Sequence, residues 1–136
     1  MPLVPLVLLV FLPPVTDIFA LCDIVRRTSL AIHSYLRSGH PEKVYENALV
    51  HRLAKQGIHA DQQFSIAIYD EDGTKLGHYA ADLLVEGVLI IELKACQTLT
   101  QEHTAQLFGY LRGSKLQHGM LINFGAAKIQ LQKLIL

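Results

Sequence analysis

Tyr79-Ala80-Ala81-Asp82-Leu83-Leu84-Val85-Glu86-Gly87-Val88-Leu89-Ile90-Ile91-Glu92-Leu93-Lys94 is the stretch that decides the fold. Two apolar runs rich in branched residues flank Glu86-Gly87, the mark of a hairpin. In the second run Glu92 and Lys94 stand two apart, so a strand sends both side chains to one face and Ile91 and Leu93 to the other. A carboxylate and an ammonium are thereby presented side by side on a rigid element.

Asp82, on the first strand, is the partner carboxylate, and the turn decides whether it shares that face. A two-residue loop at Glu86-Gly87 sets Asp82 opposite Ile91 and leaves Glu92 on the wrong side of the sheet. A three-residue loop, Glu86-Gly87-Val88, pairs Asp82 with Glu92. Gly87 is available for the left-handed position of such a loop, or for an equivalent bulge, so the odd-length connection is expected. Directly opposed carboxylates repel unless a cation lies between them. A hard divalent cation such as Mg²⁺ takes oxygen ligands and keeps several waters, and Asp82, Glu92 and the backbone carbonyl of Leu93 would supply that half-shell. The cation would ease ionisation of a water and offset charge on a phosphodiester, while Lys94 would hold the water or the phosphate. The competing reading is that an acidic residue, a lysine two further on and an aspartate ten residues earlier are ordinary solvated charges, a spacing that chance supplies in many chains.

Working outward, apolar residues from Ile24 to Leu36 recur with a loose helical period that Ser38-Gly39 ends, and a second helix spans Pro41 to Gln56. Gln63 to Tyr69 reads as a strand, followed by the Asp70-Glu71-Asp72-Gly73 turn and the strands Gly77 to Val85 and Val88 to Ala95, an antiparallel meander. Thr98 with Gln101 resembles a capping box opening a third helix that runs to Gly113. A strand from Gly119 to Phe124 and a short amphipathic tail from Ala126 to Leu136 follow. The expected order is ααβββαβα in a single domain, without internal repeat.

With 136 residues the chain suits one compact domain. Twelve Lys+Arg balance twelve Asp+Glu, so no net field draws the protein to a polyanion, and nucleic-acid binding has to come from local charge. Arg112 and Lys115, with Lys75, are candidates for that local charge, and ordinary solvation explains them equally well. Cys22 and Cys96 form no disulfide framework and no zinc pattern, so a reducing, cytoplasmic setting is the default. His33, His40, His51, His59, His78 and His118 show no paired-ligand spacing. Residues Met1 to Thr16 carry no charged side chain, yet lack the basic start of a secretory signal, and Pro5, Pro13 and Pro14 interrupt a run already shorter than the roughly 20 residues a spanning helix needs. Residues 1–22 therefore read as a poorly ordered extension or an upstream start codon, and 23–136 as the domain. A functional leader, secretory or membrane-tethering, is the alternative.

At these residues the chain resembles the PD-(D/E)XK nuclease superfamily and, within it, a group of small proteins named for the pattern GxxExxY, here Gly39-His40-Pro41-Glu42-Lys43-Val44-Tyr45. Further motifs carry the likeness over about residues 23 to 125: Tyr45-Glu46-Asn47-Ala48-Leu49, the Asp82 and Glu92 strands, Ala105-Gln106-Leu107 with Tyr110-Leu111, and Leu121-Ile122-Asn123-Phe124. The resemblance implies an α/β, restriction-endonuclease-like fold with an α-β-β-β-α-β core, a central mixed sheet, hairpin strands bearing the site and flanking helices. It implies that Asp82, Glu92 and Lys94 match the catalytic triplet and that a glutamate on the preceding helix joins the metal. Glu46 is the favoured candidate because it stands eleven residues before Gly57, a spacing similar to that in related nucleases. Glu42, one turn earlier on the same face, is second, and its competing role is to offset the exposed N–H dipoles at a helix start. Gln106 matches a glutamine that orients substrate or the lysine, with His103 one turn before it.

The implied activity is Mg²⁺-dependent hydrolysis of a phosphodiester in DNA or, less favoured, RNA, with Mn²⁺ as a substitute metal, no membrane partner, and a homodimer as an open alternative to a single chain. The rival is a non-catalytic module of the same fold that binds nucleic acid or protein in a repair, phage or defence complex. Two departures stand out: Arg37-Ser38 replaces the usual Gly-Pro before Gly39, and Ala80 replaces the arginine of the usual Tyr-Arg-Ala-Asp stretch, which removes a basic residue from the substrate side.

Overall fold

The hairpin of the opening stretch lies at the middle of a five-stranded mixed sheet. The computed structural model describes residues 17–136. Two helices lead, α1 (Ile18–Leu36) and α2 (Glu42–Ala54), followed by β1 (Ala60–Tyr69), β2 (Lys75–Val85) and β3 (Leu89–Lys94), then α3 (Gln101–Ser114), β4 (His118–Asn123) and β5 (Gln130–Ile135). The strands lie side by side in chain order, β3 and β4 parallel across the α3 crossover and the other neighbours antiparallel. The expected α-β-β-β-α-β core is present.

Helices cover both faces. Leu21, Val25 and Ile32 of α1 and Tyr45, Leu49 and Leu53 of α2 pack on Leu83, Val85, Leu89, Ile91 and Leu93. On the other face Leu107, Tyr110 and Leu111 of α3 pack on Ile66, Ile90 and Leu121. Because β3 is buried on both sides, Leu89-Ile90-Ile91 reads as a continuous apolar run, as strands covered on both faces do. Each such side chain contributes about 1.5–3 kcal/mol by leaving water. Gly113 permits the close seat of α3 on β1, since a Cβ there would meet Ile68 Cδ1 at 2.5 Å.

The pattern Gly39 to Tyr45 has a structural explanation. Tyr45 is fully buried, stacks on Phe124 with ring centroids 4.6 Å apart, donates its hydroxyl proton to the Arg37 carbonyl and accepts from the His40 N–H. It thereby clamps the α1–α2 turn onto the end of β4. Asn123, the residue before Phe124, is buried and pins the segment after β3: its Oδ1 accepts from the N–H groups of Cys96 and Gly125, and its Nδ2 donates to the Cys96 carbonyl and to Gln130.

Three expectations need correction. The segment after Ala126 is not a helix but β5, antiparallel to β4; Ile129-Gln130-Leu131-Gln132 alternates as a strand does, and the open edge of β4 supplies its hydrogen bonds. The first helix starts at Ile18 rather than Ile24, with Asp17 accepting from the Phe19 N–H, so Leu21 and Cys22, expected in the extension, lie in the core. Residues 1–16 lie outside the described residues. The cap of α3 is Thr100 with His103, not Thr98 with Gln101: Thr100 Oγ1 accepts from the His103 N–H and His103 Nδ1 from the Thr100 N–H.

Candidate functional site

The turn between β2 and β3 has the parity that brings the acids together. Glu86 and Gly87 both adopt left-handed φ, 52° and 69°, and the Val88 N–H closes on the Val85 carbonyl. Val88 is left over, so Val85 pairs with Leu89 and Leu83 with Ile91. Beyond that point the two strands part, and side chains replace the backbone ladder. The Asp82 N–H donates to Glu92 Oε1 at 2.8 Å and the Leu93 N–H to Asp82 Oδ2 at 2.7 Å. Each carboxylate thus occupies a rung that a carbonyl would otherwise fill, which holds both at one fork of the sheet.

Lys94 Nζ donates to Gln106 Oε1 at 3.0 Å and lies 4.0 Å from Glu92 Oε2. β3 and α3 thus bring the lysine, the glutamate and the glutamine to one face. Glu46 is buried on the α2 side, where Oε2 accepts from Lys43 and Gln62 and Oε1 from Gln63. Gln63 also reaches Asp82 Oδ1, at 3.4 Å, so it links the helix glutamate to the strand aspartate. Glu42, on the exposed first turn of α2, lies within electrostatic reach of Asp82, Lys94 and Glu46, and partial desolvation followed by the Asp82 charge raises its carboxyl above the usual range. His103 caps α3 and lies within reach of Glu42.

The site is short of positive charge. Glu92 is 4% exposed; burial first, then the Asp82 carboxylate, raises its pKa from 4.5 to about 8 against the opposing pull of the Asp82 N–H and Lys94. Asp82 is raised as well, chiefly by burial, with the Leu93 N–H opposing and Glu46 adding to the rise. Tyr110, beside this pair, is pushed up to about 12 by burial and then by Glu92 and Asp82.

A second geometric feature was not foreseen from straight strands. Ala81 and Leu84 face α3 whereas Leu83 and Val85 face α1 and α2, so β2 rolls over at Asp82. Across from it Gln63 has a φ of 52°, and the pairing on either side, Gln62 with Leu83 and Phe64 with Ala81, keeps its register. Gln62, Gln63 and Tyr110 were missed as site neighbours. A straight count back from the Asp70–Gly73 turn sets Gln63 opposite Ala80, and only the pairing of Tyr69 with Lys75 and the register shift between Ile68 and Tyr69 bring it opposite Asp82, so local pattern marked neither Gln63 nor Tyr110.

The donor set suits a hard divalent cation. Among the described residues no group of three or more His, Cys, Asp or Glu side chains gathers in metal-holding geometry. Asp82 and Glu92 offer the oxygen donors that hard divalent cations take.

A restriction-endonuclease-like sheet with an acidic fork and an adjacent lysine defines a class, and comparison with known proteins supports it. A model of the PD-(D/E)XK nuclease superfamily matches residues 20–134, and the chain belongs to that superfamily. Its members are usually nucleases and typically use divalent metals. No curated protein matches the chain. Among solved structures it is similar to the crystal structure of SSO0001, with a TM-score of 0.55 and 19% identity over 68% of this chain and 48% of that one, a likeness of fold. The chain therefore spans less than half of that protein's length. No helix among the described residues is long and apolar enough to cross a membrane.

Proposed function

We propose that this protein is a Mg²⁺-dependent nuclease of the GxxExxY group that hydrolyses phosphodiester bonds in nucleic acid, DNA before RNA, in the cytoplasm. The observation that carries the reading is the reciprocal seating of Asp82 and Glu92 at the fork of β2 and β3, with Lys94 on the same face. Asp82, Glu92 and the Leu93 carbonyl would hold the metal, and Glu46, favoured over Glu42, would join them on release of the Gln63 amide that now links it to Asp82; Mn²⁺ would substitute for Mg²⁺. When bound, the cation supplies charge neutralisation at the phosphate and eases ionisation of the attacking water.

The chain's own residues do the rest. Asp82 and Glu92 are each steadied by one backbone N–H donor, which limits their freedom to turn away from the fork. Lys94, steadied by Gln106, keeps further N–H donors to orient water or to meet charge developing on the phosphate. A non-cleaving binding module of the same fold is the second reading, favoured by the zero net charge and the small size.

Purified protein is incubated with labelled DNA and RNA in Mg²⁺ or Mn²⁺, beside Asp82→Ala and Lys94→Ala. Cleavage by the wild type that both variants lose supports the nuclease. Equal, undetectable cleavage by all three overturns it in favour of the binding module.

A further inference from the structure

The roll of the hairpin at Gln63 and Asp82 builds a second feature that the acidic fork does not use. Between the far half of the β1–β2 hairpin and the last turns of α3 runs a groove of about 480 Å³. Ile68, Tyr69 and Tyr79 line it on the sheet side, and Gly109, Arg112 and Lys115 on the helix side. Tyr79 is 46% exposed, and its ring leans on Tyr110 with centroids 5.0 Å apart at 42°. One face of the Tyr79 pair is therefore braced by protein while a large part of the ring stays open. Tyr110, the ring that Tyr79 leans on, also feels the Glu92 and Asp82 charges and so stands between the groove and the acidic fork.

Charge points the same way. Arg112 and Lys115 make no ion pair among the described residues. Asp70, the one acid lining the groove, is engaged in its own turn, accepting from the Glu71 N–H at 2.7 Å. In a chain of zero net charge these two cations beside an open aromatic ring are a local attraction for an anion that also offers a flat apolar face. A nucleotide has both. Its base is free to stack on a side chain only when unpaired or splayed, because in a closed duplex each face is covered by its neighbours.

We propose that this groove is the subsite for the substrate strand. An unpaired nucleotide next to the scissile phosphate stacks on Tyr79 while Arg112 and Lys115 receive flanking phosphates, so single-stranded or frayed nucleic acid is preferred over closed duplex. The inference rests on the phosphodiesterase reading for the identity of the polymer, and its test is arranged to fail separately.

Binding of labelled deoxy- and ribo-oligonucleotides of one sequence, single-stranded or annealed, is read by fluorescence anisotropy on the full chain with EDTA present, so that cleavage plays no part. The wild type should bind single strands roughly tenfold tighter than duplex, Tyr79→Ala should lose roughly tenfold on single strands, and Tyr79→Phe should keep wild-type affinity. The Arg112→Ala/Lys115→Ala double variant should flatten the slope of log affinity against log salt by about 1.4. Equal affinity of the wild type for single strand and duplex, or wild-type affinity in Tyr79→Ala, overturns the subsite. Should circular dichroism show Tyr79→Ala unfolded, the salt slope of the double variant decides, and an unchanged slope overturns the proposal. Tyr79-dependent binding by a protein that never cleaves with Mg²⁺ or Mn²⁺ leaves the subsite standing and removes the nuclease.

Discussion

Replacing Glu92 with glutamine should make the metal-free protein more stable, by an amount that grows with pH. The Glu92 carboxyl is 4% exposed and its pKa stands at about 8 against a usual 4.5, burial being the first cause and the neighbouring Asp82 the second. Between those two values the native state keeps a proton that the unfolded chain has already released. Folding stability therefore falls as pH rises from about 4.5 and levels off above about 8. At about 1.36 kcal/mol per unit, the full shift is on the order of 5 kcal/mol. At pH 5.5 only about one unit has been spent, on the order of 1 kcal/mol. Glutamine has the same shape and no charge to desolvate, and its side-chain oxygen still accepts from the Asp82 N–H, the 2.8 Å bond that seats this residue. Because Asp82 shares in the repulsion, the gain expected for Glu92→Gln at pH 9 is on the order of 3–5 kcal/mol. Urea unfolding in EDTA, wild type against variant at pH 5.5 and pH 9, measures it. A gap of the same size at both pH values would refute the reasoning, since only a buried ionisation makes the gap pH-dependent.

Two further outcomes follow from the same geometry. Mg²⁺ binding by the wild type, measured calorimetrically, should strengthen up to about tenfold per pH unit below pH 8 and then level off, because Glu92 has to release its proton to bind; an affinity flat between pH 6 and 8 would place the metal elsewhere. Gln63→Ala removes the link between Glu46 and Asp82 and should weaken Mg²⁺ affinity roughly tenfold while costing about 1–3 kcal/mol of stability, since the buried Glu46 Oε1 loses its donor, whereas unaltered affinity would show that the link through Gln63 plays no part in metal binding.

Much of the fold was legible from local pattern. The period of α2, the run of β3 and the Glu86-Gly87 turn each follow from spacing and turn chemistry, which act over a few residues. Parity alone set Asp82 against Glu92, because side chains alternate on a strand and a single extra loop residue decides which of them meet. The tail was misread because an alternating apolar pattern over so few residues becomes a strand only when an open sheet edge is there to pair with it, and that edge belongs to β4. The start of α1 was missed because its first turn continues the apolar leader in sequence, although Asp17, the first charged residue, offered an N-cap signal there.

By itself the sequence determined the sheet order through the hairpin, the identity of the acids and the lysine, and the parity that sets them on one face, all consequences of periodicity along one chain. Tertiary structure decided the roll of β1 and β2 at Gln63 and Asp82, the bridge from Glu46 through Gln63, and the meeting of Tyr79 with Tyr110 beside Arg112. These depend on how far one strand pair twists when helices press on opposite faces of its two halves. That twist is a property of the packed layers and is carried by no run of residues alone.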